Sequence, residues 1–225
     1  YGRLTVDANG KWTYVLDNDS AKVQALNAGQ TVTDTITVTV TDNNGASATQ
    51  DVVITIKGTN EAPTVGGADA GTVVEDTKLS VDGQLVVKDT DANPSVIVAQ
   101  SNVTMSYGTF AIDSQGNWTY ELNNANPAVQ ALGLGKTLTE TRDVFTADGT
   151  KASVVITIEG SNDAPTISGN AAGEVKEDTA TTISGALTKA DVDVGDTHEW
   201  SVAQPQGEYG RLTVDANGKW TYVLD

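Results

Sequence analysis

The chain has 225 residues, no cysteine, a single histidine (His198), and 13 Lys plus Arg against 30 Asp plus Glu, for a formal charge of −17. This excludes a disulfide framework, a thiolate zinc site and a cysteine nucleophile, and it leaves any serine triad one imidazole to rely on. The clustered cations that a nucleic-acid backbone or an anionic membrane would require are missing, and no apolar run reaches the roughly 20 residues of a membrane span.

Leu4 and Val6, then Trp12, Tyr14 and Leu16, alternate on either side of Asp7-Ala8-Asn9-Gly10. An Asn-Gly between alternating runs predicts a hairpin, because both residues tolerate positive φ. Pro127-Ala128-Val129-Gln130-Ala131-Leu132, and Val23-Gln24-Ala25-Leu26 before it, predict one short helical turn. Thr31 to Thr41 places Val32, Ile36, Val38 and Val40 on one parity, the period of a half-buried strand. In the central hundred residues, strands are predicted near 71–75, 79–88, 96–101, 107–112, 117–122, 137–147 and 152–159. Seven short strands with turn signals between them form a β-sandwich pattern. Glu140 and Arg142 stand on the apolar parity where Asp34 and Ile36 stand earlier. That predicts either a bulge in 137–147 or a shifted register.

The segments are repeats. Tyr1–Asp17, YGRLTVDANGKWTYVLD, recurs unchanged at Tyr209–Asp225 and in diverged form at Tyr107–Asn123. Asn60-Glu61-Ala62-Pro63 returns as Asn162-Asp163-Ala164-Pro165, and Glu75-Asp76-Thr77 as Glu177-Asp178-Thr179. Such periodicity is the mark of an array. Residues 1–60 are the back part of one repeat, 61–161 a complete middle repeat, and 162–225 the front of a third. A four-residue excess in the first interval is expected between Asp42 and Asp51, with Asp42 opposite Asp148. Tyr1 stands in mid-pattern, so the chain reads as a piece of a longer polypeptide. The short linkers carry proline, which fixes φ and favours extended geometry in its predecessor. They predict end-to-end domains in a rod.

Trp12, Trp118 and Trp220 with Tyr14, Tyr120 and Tyr222 could offer a sugar-stacking platform. Their shared parity with Leu16, Leu122 and Leu224 points instead to core packing. His198 is expected on a strand surface. No nucleophile stands beside a plausible base, so no enzyme activity is expected.

Several motifs then match a family. Ala190-Asp191-Val192-Asp193-Val194-Gly195-Asp196 resembles the cadherin A-x-D-x-D-x-G, and Asn162-Asp163-Ala164-Pro165 a shortened cadherin linker. Leu16-Asp17-Asn18-Asp19 resembles L-D-R-E, Ala147-Asp148-Gly149 resembles A-x-D-x-G, and Val175-Lys176-Glu177-Asp178 resembles V-x-E-N. The whole chain is similar to the VCBS repeats of long RTX-type bacterial adhesins. The resemblance implies an all-β fold of tandem seven-stranded Greek-key β-sandwiches, cadherin-like or Ig-like, arranged end to end. It implies a secreted segment on the bacterial cell surface, exported by type I secretion, that extends an adhesin in adhesion and biofilm formation. A repeated carbohydrate-binding module is the alternative.

By the same resemblance, calcium binds between successive domains. The first junction would draw on Asp17, Asp19, Asn60, Glu61, Asp89, Asp91 and Asp148. The second would draw on Glu75, Asn162, Asp163, Asp191, Asp193 and Asp196. Six to eight oxygens are what calcium requires, although Asp-x-Asp can equally cap a turn. Asn123 and Asn124 replace acidic ligands of the first junction, so the second is expected to bind more weakly. The expected partners are neighbouring repeats of the same chain and, through the two incomplete repeats, a second copy joined head to tail. No nucleic acid or membrane insertion is expected.

Overall fold

A computed structural model describes all 225 residues. The middle repeat is a two-layer sandwich. Its larger sheet contains β5 (Thr64–Gly67), β7 (Ser80–Lys88), β10 (Asn117–Leu122), β9 (Gly108–Ile112) and β8 (Gln100–Thr104), in that order. The smaller contains β11 (Thr137–Phe145), β12 (Lys151–Glu159) and β6 (Ala70–Val74), with β6 parallel to β12. Period-2 alternation turns one face of each sheet inward. Leu85, Phe110, Ile112 and Trp118 meet Val144, Val154, Ile156 and Ile158 in a single core. Trp118 is fully buried, stacked on Phe110 at 6.2 Å, and its indole N–H donates to the Ala68 carbonyl at 2.7 Å. Gly83 lies beneath that ring; a Cβ there would come within 2.5 Å of it.

Residues 1–60 form two facing hairpins, β1 (Gly2–Val6) with β2 (Trp12–Leu16) and β3 (Thr31–Thr41) with β4 (Ser47–Lys57). The single turn α1 (Ala21–Gln24) lies between them, as α2 (Pro127–Gln130) precedes β11. Asn126 caps α2 by accepting from the Ala128 N–H, with Pro127 in the first turn. Residues 162–225 form one sheet, β13 (Thr166–Gly169), β14 (Thr182–Ala190), β16 (Lys219–Leu224) and β15 (Gly210–Val214). The four Asp-x-x-Gly hairpins, at Asp7, Asp42, Asp113 and Asp215, turn alike. Asp7, for instance, accepts from the N–H groups of Asn9 and Lys11, each at 2.9 Å, and Gly10 takes φ +79°.

Four expectations change. β5 is an additional strand. The run near 96–101 is displaced to β8, with Ile97 making only an isolated bridge to Thr146. β11 pairs with β12 without interruption from Thr137 to Phe145, and the irregularity lies in β8, between Gln100 and Val103. Glu140 keeps its inward place because the Ser106 and Tyr107 N–H groups and the Tyr120 hydroxyl all donate to its carboxylate. Arg142 donates to Gln100 at 2.7 Å. Finally, the four extra residues of the first interval lengthen the β3–β4 hairpin by the pairs Val40–Ala48 and Thr41–Ser47.

A candidate metal centre at the repeat junctions

The second junction is assembled from three pieces of chain. β6 ends where β12 feeds the linker, and the Glu75 N–H donates to the Glu159 carbonyl at 3.0 Å, fixing Glu75 at that pole. Asp76 follows with φ 61°, in a tight turn closed by the Thr77 N–H on the Val74 and Glu75 carbonyls. Asn124 holds this turn from both sides, accepting from the Asp76 N–H at 2.9 Å and donating to its carboxylate at 2.6 Å. Gln130, at the end of α2, reaches Glu75 and Asp76 at 3.4 Å each.

The linker approaches from the other side. Asn162 donates to the Asp163 carbonyl at 2.9 Å, and the Asp163 N–H donates to Asp193 at 2.8 Å. Asp193 is itself set by its N–H on Asp191, at 3.0 Å. The Val194 N–H donates to the Ala131 carbonyl at 3.2 Å, tying the Asp-x-Asp loop to the end of α2. Asp196 lies alongside, since a Cβ on Gly133 would stand 3.4 Å from its carboxylate. Carboxylate oxygens of Glu75, Asp76 and Asp163 lie within 4.8 Å of one another.

The first junction repeats the linker half of this arrangement. The Glu61 N–H donates to Asp91 at 3.3 Å, Asn60 donates to the Glu61 carbonyl at 3.0 Å, and the Asp91 N–H donates to Asp89 at 3.1 Å. Ser95 donates through its backbone N–H to Asp89 and through its hydroxyl to Asp148. The Ala92 N–H reaches the Ala25 carbonyl at 3.2 Å, and the Asn93 N–H reaches the Asn27 side chain at 2.8 Å.

Five buried side-chain polar atoms in the whole chain have no hydrogen-bond partner: one carboxylate oxygen each of Glu61, Asp91, Glu75, Asp163 and Asp193. All five are at the junctions. Buried polar groups are normally paired, and an unpaired carboxylate is costly. Burial first, and then the Asp163 and Asp76 charges, push the Glu75 carboxyl up to about 7. Asp163 is also raised, by burial and then by Asp76, Asp193 and Asp191. A cradle of oxygen-only donors with unfilled lone pairs fits a hard cation such as calcium.

The structure thus brings Glu75, Asn162, Asp163, Asp191, Asp193 and Asp196 to one junction, and Asn60, Glu61, Asp89, Asp91 and Asp148 to the other. Asp17 and Asp19 lie in the exposed turn before α1, where the Asp17 carbonyl accepts from Ser20. Asp76, Asn124 and Gln130 were missed as site residues. The repeated Glu-Asp-Thr was the available signal for Asp76. The carboxylates that converge from separate pieces of chain, Glu75, Asp76 and Asp163, are at the second junction. His198 is a further correction. It lies outside the strands, half-buried, with Nε2 2.6 Å from Asp191.

A family model described as the bacterial cadherin-like domain matches residues 1–58, 60–160 and 162–225. The chain belongs to this family. Over 155 residues it is 26% identical to the calcium-binding lectin RapA2 of Rhizobium johnstonii (strain DSM 114642 / LMG 32736 / 3841). That similarity covers 63% of this chain and 62% of the relative, so the match spans less than two thirds of the relative's length. Among solved structures, PcdhgB3 EC1-4 matches with a TM-score of 0.53 at 15% identity, over 100% of this chain and 55% of that one. Protocadherin Gamma B2 extracellular cadherin domains 1-5 match with a TM-score of 0.50 at 13% identity, over 100% and 44%. These likenesses establish the cadherin-like all-β fold. No helix is long and apolar enough to cross a membrane.

Proposed function

We propose that this bacterial cadherin-like chain is a non-catalytic extender segment of a surface adhesin, stiffened by calcium at its repeat junctions. The observation that carries the reading is the set of five buried, unpartnered carboxylate oxygens, all at junctions and contributed from both sides of a linker. The calcium-binding lectin relative supports the choice of ion. At the second junction Glu75 and Asp76 would act from the middle repeat, Asn162 and Asp163 from the linker, and Asp191, Asp193 and Asp196 from the third. At the first, Asn60, Glu61, Asp89, Asp91 and Asp148 would form the binding half, with Asp17 and Asp19 as outlying candidates.

Like charges held together by the fold repel, and a bridging cation turns that repulsion into a tie between domains. An ion bound only by the folded state stabilises by about 2.7 kcal/mol at a hundredfold excess over Kd. Export by type I secretion to the bacterial cell surface, and a part in biofilm formation, belong to the same reading.

The test is thermal melting and small-angle scattering of the 225-residue chain with calcium and with chelator. We expect a higher Tm and a narrower spread of dimensions with calcium. Equal curves in both conditions would overturn the reading.

A second reading, carbohydrate binding, is favoured by the relative being a lectin. Against it, Trp118 and Tyr120 are fully buried in the complete repeat, leaving no stacking platform from that motif. Glycan-array binding by the chain would support it.

A further inference from the structure

Three stretches of the chain read Asn-x-Ser/Thr without a central proline: Asn18-Asp19-Ser20, Asn102-Val103-Thr104 and Asn117-Trp118-Thr119. In such a triplet the Asn amide can accept a sugar, provided that it stands on the surface. The triplet alone is a common combination of residues, so the fold around each copy decides which one is usable.

Two of the three are held in place. Asn117 begins β10, which is paired with β7 on one side and β9 on the other. Its amide nitrogen donates to the Asp113 carboxylate at 2.8 Å, and Trp118 beside it is fully buried. Ser20 stands at the N-cap of α1, and its hydroxyl donates to the Asp17 carbonyl at 2.9 Å. The Asn18 carbonyl accepts from Gln24 at 2.8 Å, which ties that turn to the helix.

Asn102 differs on each count, and it lies within the complete middle repeat. β8 is the outermost strand of its sheet and pairs with β9 alone. The ladder skips between Gln100 and Val103, so Ser101 and Asn102 together stand opposite Ala111. Asn102 takes φ 50°, in the left-handed region, and its exposed amide is engaged by no other group. Thr104, two residues on, is exposed as well. A strand held from one side and interrupted at the bulge opens locally at lower cost than a central strand. A transferase can therefore draw this triplet into its own cleft without unfolding the sandwich.

We propose that Asn102 is an acceptor site for N-linked glycosylation. The co-substrate is a sugar activated at its anomeric carbon by a phosphate ester. The Asn102 amide nitrogen attacks that carbon and a C–N bond forms. The bond from the same carbon to the phosphate oxygen breaks, the phosphate-bearing group leaves with the electron pair, and a base of the transferase takes the amide proton. The sugar then stands over the free edge of β8, where unpaired N–H and C=O groups otherwise invite pairing with another chain.

The test incubates the folded full-length chain with UDP-glucose and a transferase that reads Asn-x-Ser/Thr, and maps the modified peptides over time by mass spectrometry. Asn102 is expected to gain a single hexose ahead of Asn18 and Asn117. Thr104→Ser should keep the modification, whereas Thr104→Val and Asn102→Gln should abolish it at this site. No hexose at Asn102, or hexose at Asn18 or Asn117 ahead of it, overturns the proposal. In protein recovered from the cells that make it, Asn102 is expected to carry a sugar. A single hexose there marks a nucleotide sugar as donor, and a preassembled oligosaccharide marks a lipid pyrophosphate. A bare Asn102 in that protein overturns the proposal.

Discussion

The two junctions share a linker pattern and an Asp-x-Asp loop, and the second also displays the turn after β6. At the second, the turn after β6 presents Glu75 and Asp76 to the linker, and three carboxylates converge. At the first, Glu61 and Asp91 carry the same unpartnered oxygens as Asp163 and Asp193, set by the linker and the Asp-x-Asp loop of the middle repeat. The difference teaches that the linker half of the site is built locally by one repeat. The second half depends on a tight turn that a different part of the neighbouring fold must carry to the same pole.

Removing the buried charge on the distinguishing side should have the largest effect. Glu75→Gln keeps the volume and an oxygen donor and discards the negative charge. It should weaken calcium binding at the second junction by about tenfold or more and leave the first unchanged, since ligand charge tunes affinity. In chelator the same change should raise Tm, because an unpaired buried carboxylate costs roughly 1–3 kcal/mol. Titration calorimetry and melting in chelator measure the two effects. A fall in Tm in chelator would mean that Glu75 stabilises the fold without an ion.

Acidity should sharpen the same contrast. The folded-state value for Glu75 is about 7 against an ordinary 4.5, so the chelated fold holds the extra proton between these values. This group therefore destabilises fully at and above pH of about 7, and its cost disappears as pH falls toward 4.5. Calcium needs the charged form. Its affinity at the second junction should drop as pH falls through about 7, by up to about tenfold per unit, while the first junction changes less. Parallel calcium titrations at pH 8 and pH 6 check this, and equal affinities would contradict it.

Two smaller changes probe the surroundings. Asn124→Asp retains the acceptor for the Asp76 N–H and adds a charge, so calcium should bind about three- to fivefold more tightly, with lower Tm in chelator. Asp17→Asn with Asp19→Asn should shift first-junction affinity by less than about twofold, since both residues sit in an exposed turn. A tenfold loss from that pair would show that the turn folds onto the linker when calcium binds.

The identical segments Tyr1–Asp17 and Tyr209–Asp225 show which part of the structure is written locally. Both form the same hairpin in the same register, Gly2 opposite Leu16 and Gly210 opposite Leu224. Alternation and the Asp-x-x-Gly turn suffice for that. Burial is another matter: Trp12 is 46% exposed and Trp220 only 7%, because β14 and the Asn170 carbonyl cover the second indole. The inward aromatic face of the middle repeat was legible from parity, as were the linker and loop residues that meet at the junctions from their motifs.

Asp76 was not legible as a residue of the candidate site. Its role depends on a left-handed turn and on Asn124, 48 residues away. Nor was the compensation at Glu140, which needs two N–H groups from the β8–β9 turn and a hydroxyl from β10. Tyr14 shows the same long-range effect, pushed up to about 12 by burial and by Asp34.

The most direct measurement of a calcium bridge is a residue-resolved NMR titration of the dilute 225-residue chain, from chelator into calcium. The amides of Glu75, Asp76, Asp163 and Asp193 are expected to shift together with one saturation curve. That curve should saturate before any curve at Glu61 and Asp91, and it should be lost in Glu75→Gln. Shifts confined to Asp191–Asp196, with Glu75 and Asp76 unmoved at saturation, would show an ion held by the third repeat alone and would contradict a bridge between domains.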